Sequence, residues 1–202
     1  MMKRWADFGA IPAFVVFLIL CFAYEKFHAL DEKMAAWLYG NKFIEGFHFF
    51  GETKVMIVVT IVLLAWYVLR RNYHGMLFVI FSIGGGVALN QMIKRIVERP
   101  RPELPDQLTT YSFTSTHTTI ALLLLFTTVY IITKSTSKWS VKIALWSIAI
   151  VLTILGGLSR IAEGRHFATD VLAAWALTYA WFTLCRYLYE KNKHKNIRRD
   201  VE

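Results

Sequence analysis

Cysteine is nearly absent: Cys21 and Cys185 are the only two in 202 residues. Each sits in an apolar stretch, so a disulfide scaffold is excluded and two buried thiols are expected. Charged residues are also few, at 18% against a usual share of about 25%. With 15 Phe, 9 Tyr, 7 Trp and 56% apolar residues, the chain has too much to bury for intrinsic disorder. An ordinary soluble domain is disfavoured as well, because one small globule cannot hide several long charge-free stretches. There is no clustered carboxylate set for magnesium and no histidine-rich set for zinc. Neither a metal nor another cofactor is expected. No internal repeat is evident.

What the chain has instead is six apolar segments, at residues 8–24, 54–69, 73–93, 116–132, 141–158 and 168–189. Six helices of about 20 residues take about 120 positions, which leaves enough for short loops and tails. The expected fold class is all-α, a six-transmembrane helical bundle in one integral membrane domain over residues 1–202. The first segment follows Lys3 and Arg4, but no small-x-small cleavage site comes after it. Leu18-Ile19-Leu20 before Cys21 also lacks the small residues of a lipoprotein site, so this segment is expected to remain a span. Residues 25–53 are too polar to cross. Met34, Trp37, Leu38, Ile44, Phe47 and Phe50 fall there at roughly helical spacings, broken at Gly40-Asn41. This predicts short interfacial helices with Trp37, Phe43, Phe47 and Phe49 near the headgroups. Gly84, Gly85 and Gly86 in the third segment predict close helix packing or a kink.

Charge orients the bundle. With six spans both termini share a side, together with the Arg70 turn, the 134–142 loop and the tail. That side has thirteen lysines and arginines against four acids, and so carries the whole net charge of +9. The other side balances to zero. The positive-inside rule then puts both termini in the cytoplasm of a bacterial cell and the loops 94–117 and 159–170 outside. The basic tail, within residues 190–202, reads as a solvated end beside anionic lipid. It lacks the interleaved aromatics of a nucleic-acid site. No nucleic acid and no obligate protein partner are expected.

Three polar clusters fall at the outer ends of the spans. The first runs from Lys94 to Pro102, with four cations in eight residues. A basic edge belongs inside by the charge rule, and this one is outside. Pro100 and Pro102 hold the chain extended beyond the preceding helix, which gives Arg101 a reproducible position. A guanidinium fork suits a pair of phosphate oxygens, and a lysine adds a point charge. The second cluster is Thr114-Ser115-Thr116-His117-Thr118. Thr114 or Ser115 caps the helix that follows, and its free amides and positive end also suit an anion. His117 adds a titratable proton donor. The third is Ser159-Arg160 with His166 and Asp170. The latter two are four apart, so one helical face brings them together. They form either a structural pair or an imidazole oriented toward a substrate. Phosphoryl transfer through histidine fits this inventory, and a site at a lipid–water boundary implies a membrane lipid phosphate as partner.

These residues resemble the three-part signature of the type-2 phosphatidic acid phosphatase family. Lys94, six residues and Arg101-Pro102 satisfy its first motif. Ser159-Arg160, five residues, His166, three residues and Asp170 satisfy its third. The middle motif, Pro-Ser-Gly-His, is altered: Thr114 replaces proline and Thr116 replaces glycine, while Ser115 and His117 remain. The resemblance covers nearly the whole chain. It implies a catalytic core like that of soluble acid phosphatases and vanadium haloperoxidases, and metal-independent hydrolysis of a phosphoric monoester. It also implies roles. His166 is the nucleophile, Asp170 its orienting partner and His117 the general acid for the leaving alkoxide. Lys94, Arg101, Arg160, Ser115 and the Thr116 amide bind the phosphoryl oxygens. In place of the missing glycine, the Thr116 backbone shifts or its hydroxyl donates instead. Glu163 and Arg165 read as a rim ion pair. The short chain and loops are similar to those of small bacterial phosphatidylglycerophosphate phosphatases, which implies a part in phosphatidylglycerol synthesis. Undecaprenyl pyrophosphate hydrolysis, with possible diphosphate activity, is the alternative. A membrane transporter or scaffold is a further one.

Overall fold

An amide in the hydrocarbon core of a bilayer has no water to bond, so each apolar run must close its own hydrogen bonds as a helix. The computed structural model follows that rule. It describes residues 2–199 except Pro105, with side chains over 9–192. The helices are α1 (Met2–Ala23), α2 (His28–Leu38), α3 (Lys42–Glu45), α4 (Thr53–Leu69), α5 (Tyr73–Val79), α6 (Gly86–Val97), α7 (Thr116–Ser135), α8 (Trp139–Ala162) and α9 (Ala168–Arg199). Short 3-10 segments join α1 to α2 (Tyr24–Phe27) and α3 to α4 (Gly46–Gly51), and a π-helical stretch, Ile80–Gly85, joins α5 to α6.

Five stretches are long and apolar enough to cross a membrane: Gly9–Leu38, Tyr73–Val97, Thr116–Ser135, Trp139–Ala162 and Ala168–Asn192. Lys42–Gly51 and α4, bent by 42° where they meet, make a sixth if taken together. This is an all-α, multi-pass membrane fold. Two boundaries differ from the sequence expectation. Helical structure continues past residue 24 to Leu38, so the first span runs directly into the polar region. At the other end α9 continues past residue 189 to Arg199, although most side chains of this basic tail, like those of Lys3 and Arg4, lie outside the described residues.

The centre of the bundle is α7, where Ile120, Leu123, Phe126 and Tyr130 are buried. Phe78, Tyr130, Phe182 and Tyr189 pack around it with centroid separations between 5.0 and 6.4 Å. By contrast α1, α4 and α8 leave Ile11, Phe22, Val58, Val62 and Val151 exposed, an apolar skin suited to lipid. Lipid tails are as apolar as the core, so helix association here rests on close packing and interhelical hydrogen bonds. The third span supplies both. A Cβ on Gly86 would lie 2.6 Å from Leu123 Cδ1, and one on Gly85 2.8 Å from Trp181 Cζ2. The Trp181 indole N–H donates to the carbonyls of Phe81 (3.0 Å) and Ser82 (3.2 Å), inside the π stretch. The Ser82 and Thr127 hydroxyls bond at 2.9 Å.

At one end of the bundle the chain is irregular. Glu98 ends α6 in the left-handed region (φ 50°), and its N–H returns to the Lys94 carbonyl. Residues 99–115 then cross to the start of α7, and Glu163–Phe167, turning at Gly164 (φ 64°), link α8 to α9. The polar clusters lie on these two connections and on the helix ends that flank them.

Candidate active site

His166 lies just before α9 and Asp170 in its first turn, so the spacing of four sets them on adjoining positions. The imidazole is 4% exposed and the carboxylate is fully buried. His166 Nδ1 is 3.5 Å from Asp170 Oδ2. That oxygen also accepts from the Phe167 amide at 2.9 Å and from the Ser112 hydroxyl, whose oxygen is 3.4 Å from Nδ1. On the other side of the ring, Nε2 is 3.2 Å from Arg101 Nη1. Burial, reinforced by the Lys94 and Arg101 cations and opposed by Asp170, lowers the His166 pKa to about 4. At neutral pH the ring is therefore neutral. A proton on Nδ1 directed at Asp170 leaves the Nε2 lone pair facing the cations.

The cations come from three places. Arg101 donates to the Thr110 carbonyl (2.7 Å) and hydroxyl (2.9 Å) and to the Arg165 carbonyl (2.7 Å), which holds its fork in front of His166. Burial and the like charge of Arg160 lower its pKa to about 10, still cationic at pH 7. Lys94, on the last turn of α6, donates to the carbonyls of Tyr111 (2.6 Å) and Ser112 (3.2 Å). Arg160, near the end of α8, is 4% exposed and donates to Glu163 at 2.6 Å. Its Nε is buried with no hydrogen-bond partner among the described residues. Such an orphan donor is costly unless a ligand satisfies it. The Arg160 carbonyl accepts from the amides of Arg165 (3.0 Å) and His166 (3.2 Å), which ties this cation to the imidazole loop.

The start of α7 closes the group. Ser115 is the N-cap, accepting from the Thr118 amide (3.4 Å) and hydroxyl (2.9 Å), so its own proton is free to donate. Its amide donates to the Asp170 carbonyl at 3.4 Å. Thr116 and His117 open the helix, and their amides have no carbonyl one turn back. The two altered positions of the middle motif are both held by α6. Buried Asn90 donates to the Thr114 hydroxyl (2.5 Å) and carbonyl (3.3 Å) and accepts from the Thr116 hydroxyl (2.9 Å). Gln91 donates to the same Thr116 hydroxyl at 3.1 Å. Of the two alternatives for this position, a shifted backbone or a donating hydroxyl, the hydroxyl is here engaged by α6. The partly buried His117 follows, its carbonyl packed on Gly51, where a Cβ would lie 2.4 Å away.

Glu163 and Arg165 are brought near the site but do not form the expected ion pair. The chain reverses at Gly164 between them. Glu163 bonds Arg160 and approaches His48 Nδ1 at 3.4 Å, while Arg165 donates to the Asp106 carbonyl and to Gln107 Oε1 (3.4 Å). Sequence reasoning also missed Ser112, Asn90, Arg99 and Asp31. Arg99 lay in the recognised cation cluster, where the motif spacing singled out Arg101 and gave Arg99 no role. Asp31 and Ser112 have no local signal, because they meet Arg99 and Asp170 only across 68 and 58 residues.

The chain is similar to known proteins in sequence and in fold. Residues 75–194 match the model of the PAP2 superfamily. Phosphatidylglycerophosphatase B of Bacillus subtilis (strain 168) is 27% identical over 197 residues, 91% of this chain and 96% of the relative. A crystal structure of a transmembrane PAP2-type phosphatidylglycerolphosphate phosphatase from Bacillus subtilis aligns with a TM-score of 0.80 at 27% identity. That alignment covers 91% of this chain and 97% of the other.

Proposed function

The chain belongs to the PAP2 superfamily and is a membrane lipid phosphatase of that family, and from that premise we propose that it hydrolyses phosphatidylglycerophosphate to phosphatidylglycerol and phosphate. The reaction runs through a phosphohistidine on His166 and needs no metal. The observation that carries this reading is the His166 ring itself, with one nitrogen 3.5 Å from Asp170 Oδ2 and the other 3.2 Å from Arg101 Nη1. Among the described residues no three His, Cys, Asp or Glu side chains converge as a metal-ligating group.

In the first step the Nε2 lone pair attacks phosphorus and the bond to the lipid oxygen breaks. His117 protonates the leaving alkoxide. Asp170 takes up the growing positive charge on the imidazole through Nδ1–H. Charge on the transferring group meets Arg101, Lys94, Arg160 with its open Nε, the Ser115 hydroxyl and the amides at the start of α7. In the second step His117 accepts a proton from water, the oxygen attacks phosphorus and the N–P bond breaks. Phosphate leaves and His166 is restored.

The lipid monoester is favoured by the likeness to the Bacillus subtilis relatives, whose names specify phosphatidylglycerophosphate. Six spans with both termini cytoplasmic and the site outside are favoured by the charge asymmetry of the sequence. Purified protein in detergent tests the reading by phosphate release from phosphatidylglycerophosphate and from undecaprenyl pyrophosphate, with His166→Ala alongside. The monoester should have the higher kcat/KM and the variant should be inactive. Faster release from the diphosphate would overturn the substrate, and turnover by His166→Ala would overturn the mechanism.

A further inference from the structure

Two buried charges that this mechanism does not use stand directly behind Asp170. Arg99 Nη1 donates to Asp170 Oδ1 and to the Thr169 hydroxyl, both at 2.7 Å, and Nη2 donates to Asp31 Oδ2 at 2.8 Å. Asp31 also accepts from the Thr169 amide (2.8 Å) and hydroxyl (2.9 Å), and so caps the start of α9 from α2. The rings of Tyr24 and Phe167 lie 4.4 and 4.0 Å from the Arg99 guanidinium carbon. Arg99 and Asp31 are 6% and 3% exposed, so neither charge is screened by water.

A buried ion cluster that merely staples α2 to α9 would have little reason to divide the Asp170 oxygens as this one does. Oδ1 goes to Arg99 alone among the charged groups, and Oδ2 faces His166 Nδ1 with Ser112 and the Phe167 amide. Arg99 therefore selects which oxygen meets the imidazole and draws charge away from it. Asp31 in turn offsets part of the guanidinium charge. We infer that Asp31 and Arg99 are positioning residues for the nucleophile, fixing the Asp170 carboxylate and setting how strongly it polarises His166. The inference rests on the reading of His166 as the nucleophile.

The consequence has a sign that a plain structural role does not share. Without the Arg99 charge, Asp170 would stabilise the imidazolium more, and His166 would protonate at higher pH. Without the Asp31 charge, Arg99 would act unopposed, and His166 would protonate at lower pH. The other groups facing the ring do not change: Ser112 at Nδ1, Arg101 at Nε2, Lys94 among the neighbouring cations, His117 from the start of α7, and His28 and Glu32 across the adjoining cavity of about 250 Å³.

The test compares Asp31→Asn, Arg99→Gln and Arg99→Lys with wild type in detergent, using dioctanoyl phosphatidylglycerophosphate. The readouts are kcat, KM and the ratio of kcat/KM at pH 4 to that at pH 7. Each variant should lose about tenfold in kcat with little change in KM, as outer partners of catalytic groups typically do. The pH ratio should rise for Asp31→Asn, fall for Arg99→Gln and stay level for Arg99→Lys, which keeps the charge and loses the fork. Wild-type kcat in all three would overturn the inference. So would losses that track thermal stability with an unmoved pH ratio. Should Arg99→Gln fail to fold, the other two still decide. An acid-labile phosphoenzyme in wild type, absent from His166→Ala, is measured in parallel. Its absence from wild type would sink the nucleophile reading instead.

Discussion

Asn90 holds both residues by which the middle motif departs from the family pattern, so replacing it tests whether those departures are compensated. Asn90→Leu keeps the volume and removes the polar group. Thr116 retains Gln91 (3.1 Å) and Thr119 retains Thr178 (3.3 Å), but the Thr114 hydroxyl and carbonyl lose the partner that Asn90 supplied. An unsatisfied buried group costs about 1–3 kcal/mol. Asn90 lies in a span, where interhelical hydrogen bonds average only about 0.6 kcal/mol. The lower figure for each of the two groups therefore applies, giving about 2 kcal/mol. If the loop relaxes to recover those bonds, the α7 amides move off the phosphoryl oxygens and the cost falls on the transition state. Two kcal/mol there is about a 30-fold loss of kcat. The assay is phosphate release from the short-chain lipid. The control adds Thr114→Pro and Thr116→Gly to Asn90→Leu, which restores the family residues and removes the stranded hydroxyls. That triple variant should recover at least tenfold. A kcat for Asn90→Leu within twofold of wild type, or a triple variant no faster than the single, would refute the argument.

Three further outcomes follow from the same geometry. Since burial lowers His166 to a pKa of about 4 and the neutral ring is the reactive form, the acid limb that His166 contributes should lie near pH 4, with a fall of about tenfold per unit below it. An acid limb between about pH 6 and 7 that is not the substrate's own second ionisation, at about pH 6, would count against it. Glu163→Gln removes the carboxylate that bonds Arg160 at 2.6 Å, so inorganic phosphate should inhibit several-fold more tightly, by about 1 kcal/mol. An unchanged inhibition constant would show that Arg160 does not reach the ligand. Gly86→Ala should lower thermal stability by about 1–3 kcal/mol, because its Cβ would lie 2.6 Å from Leu123. Gly84→Ala, with nothing within 4 Å, should not. Equal effects in the two would refute the packing argument.

How much of this was legible in the sequence depends on whether the physical cause is local. Spans are local, because twenty residues without charge must satisfy their own amides. The long helices accordingly begin and end within a few residues of the apolar runs, except for α1, which begins at Met2 and continues toward α2, and α9, which runs on to Arg199. The His166–Asp170 pair is local too, through a spacing of four. Arg99 and Arg101 show the limit. They stand two residues apart, each followed by proline. Extended geometry at that spacing would send both side chains to one face, yet Arg101 faces His166 Nε2 while Arg99 is buried behind Asp170 Oδ1. Which arginine meets the phosphoryl side depends on Asp31, from a helix 68 residues earlier. No periodicity links that aspartate to the site. Thr116 shows the same limit from the other side. From the sequence its backbone was free to shift or its hydroxyl to donate to substrate. Its direction is set by Asn90 and Gln91, which are placed by a helix that packs against α7 for reasons unrelated to catalysis. Roles that need only residue type and spacing can be read from the chain. Roles that depend on a buried partner in a distant segment cannot, and here those partners decide which arginine waits for the phosphate and which sets the nucleophile.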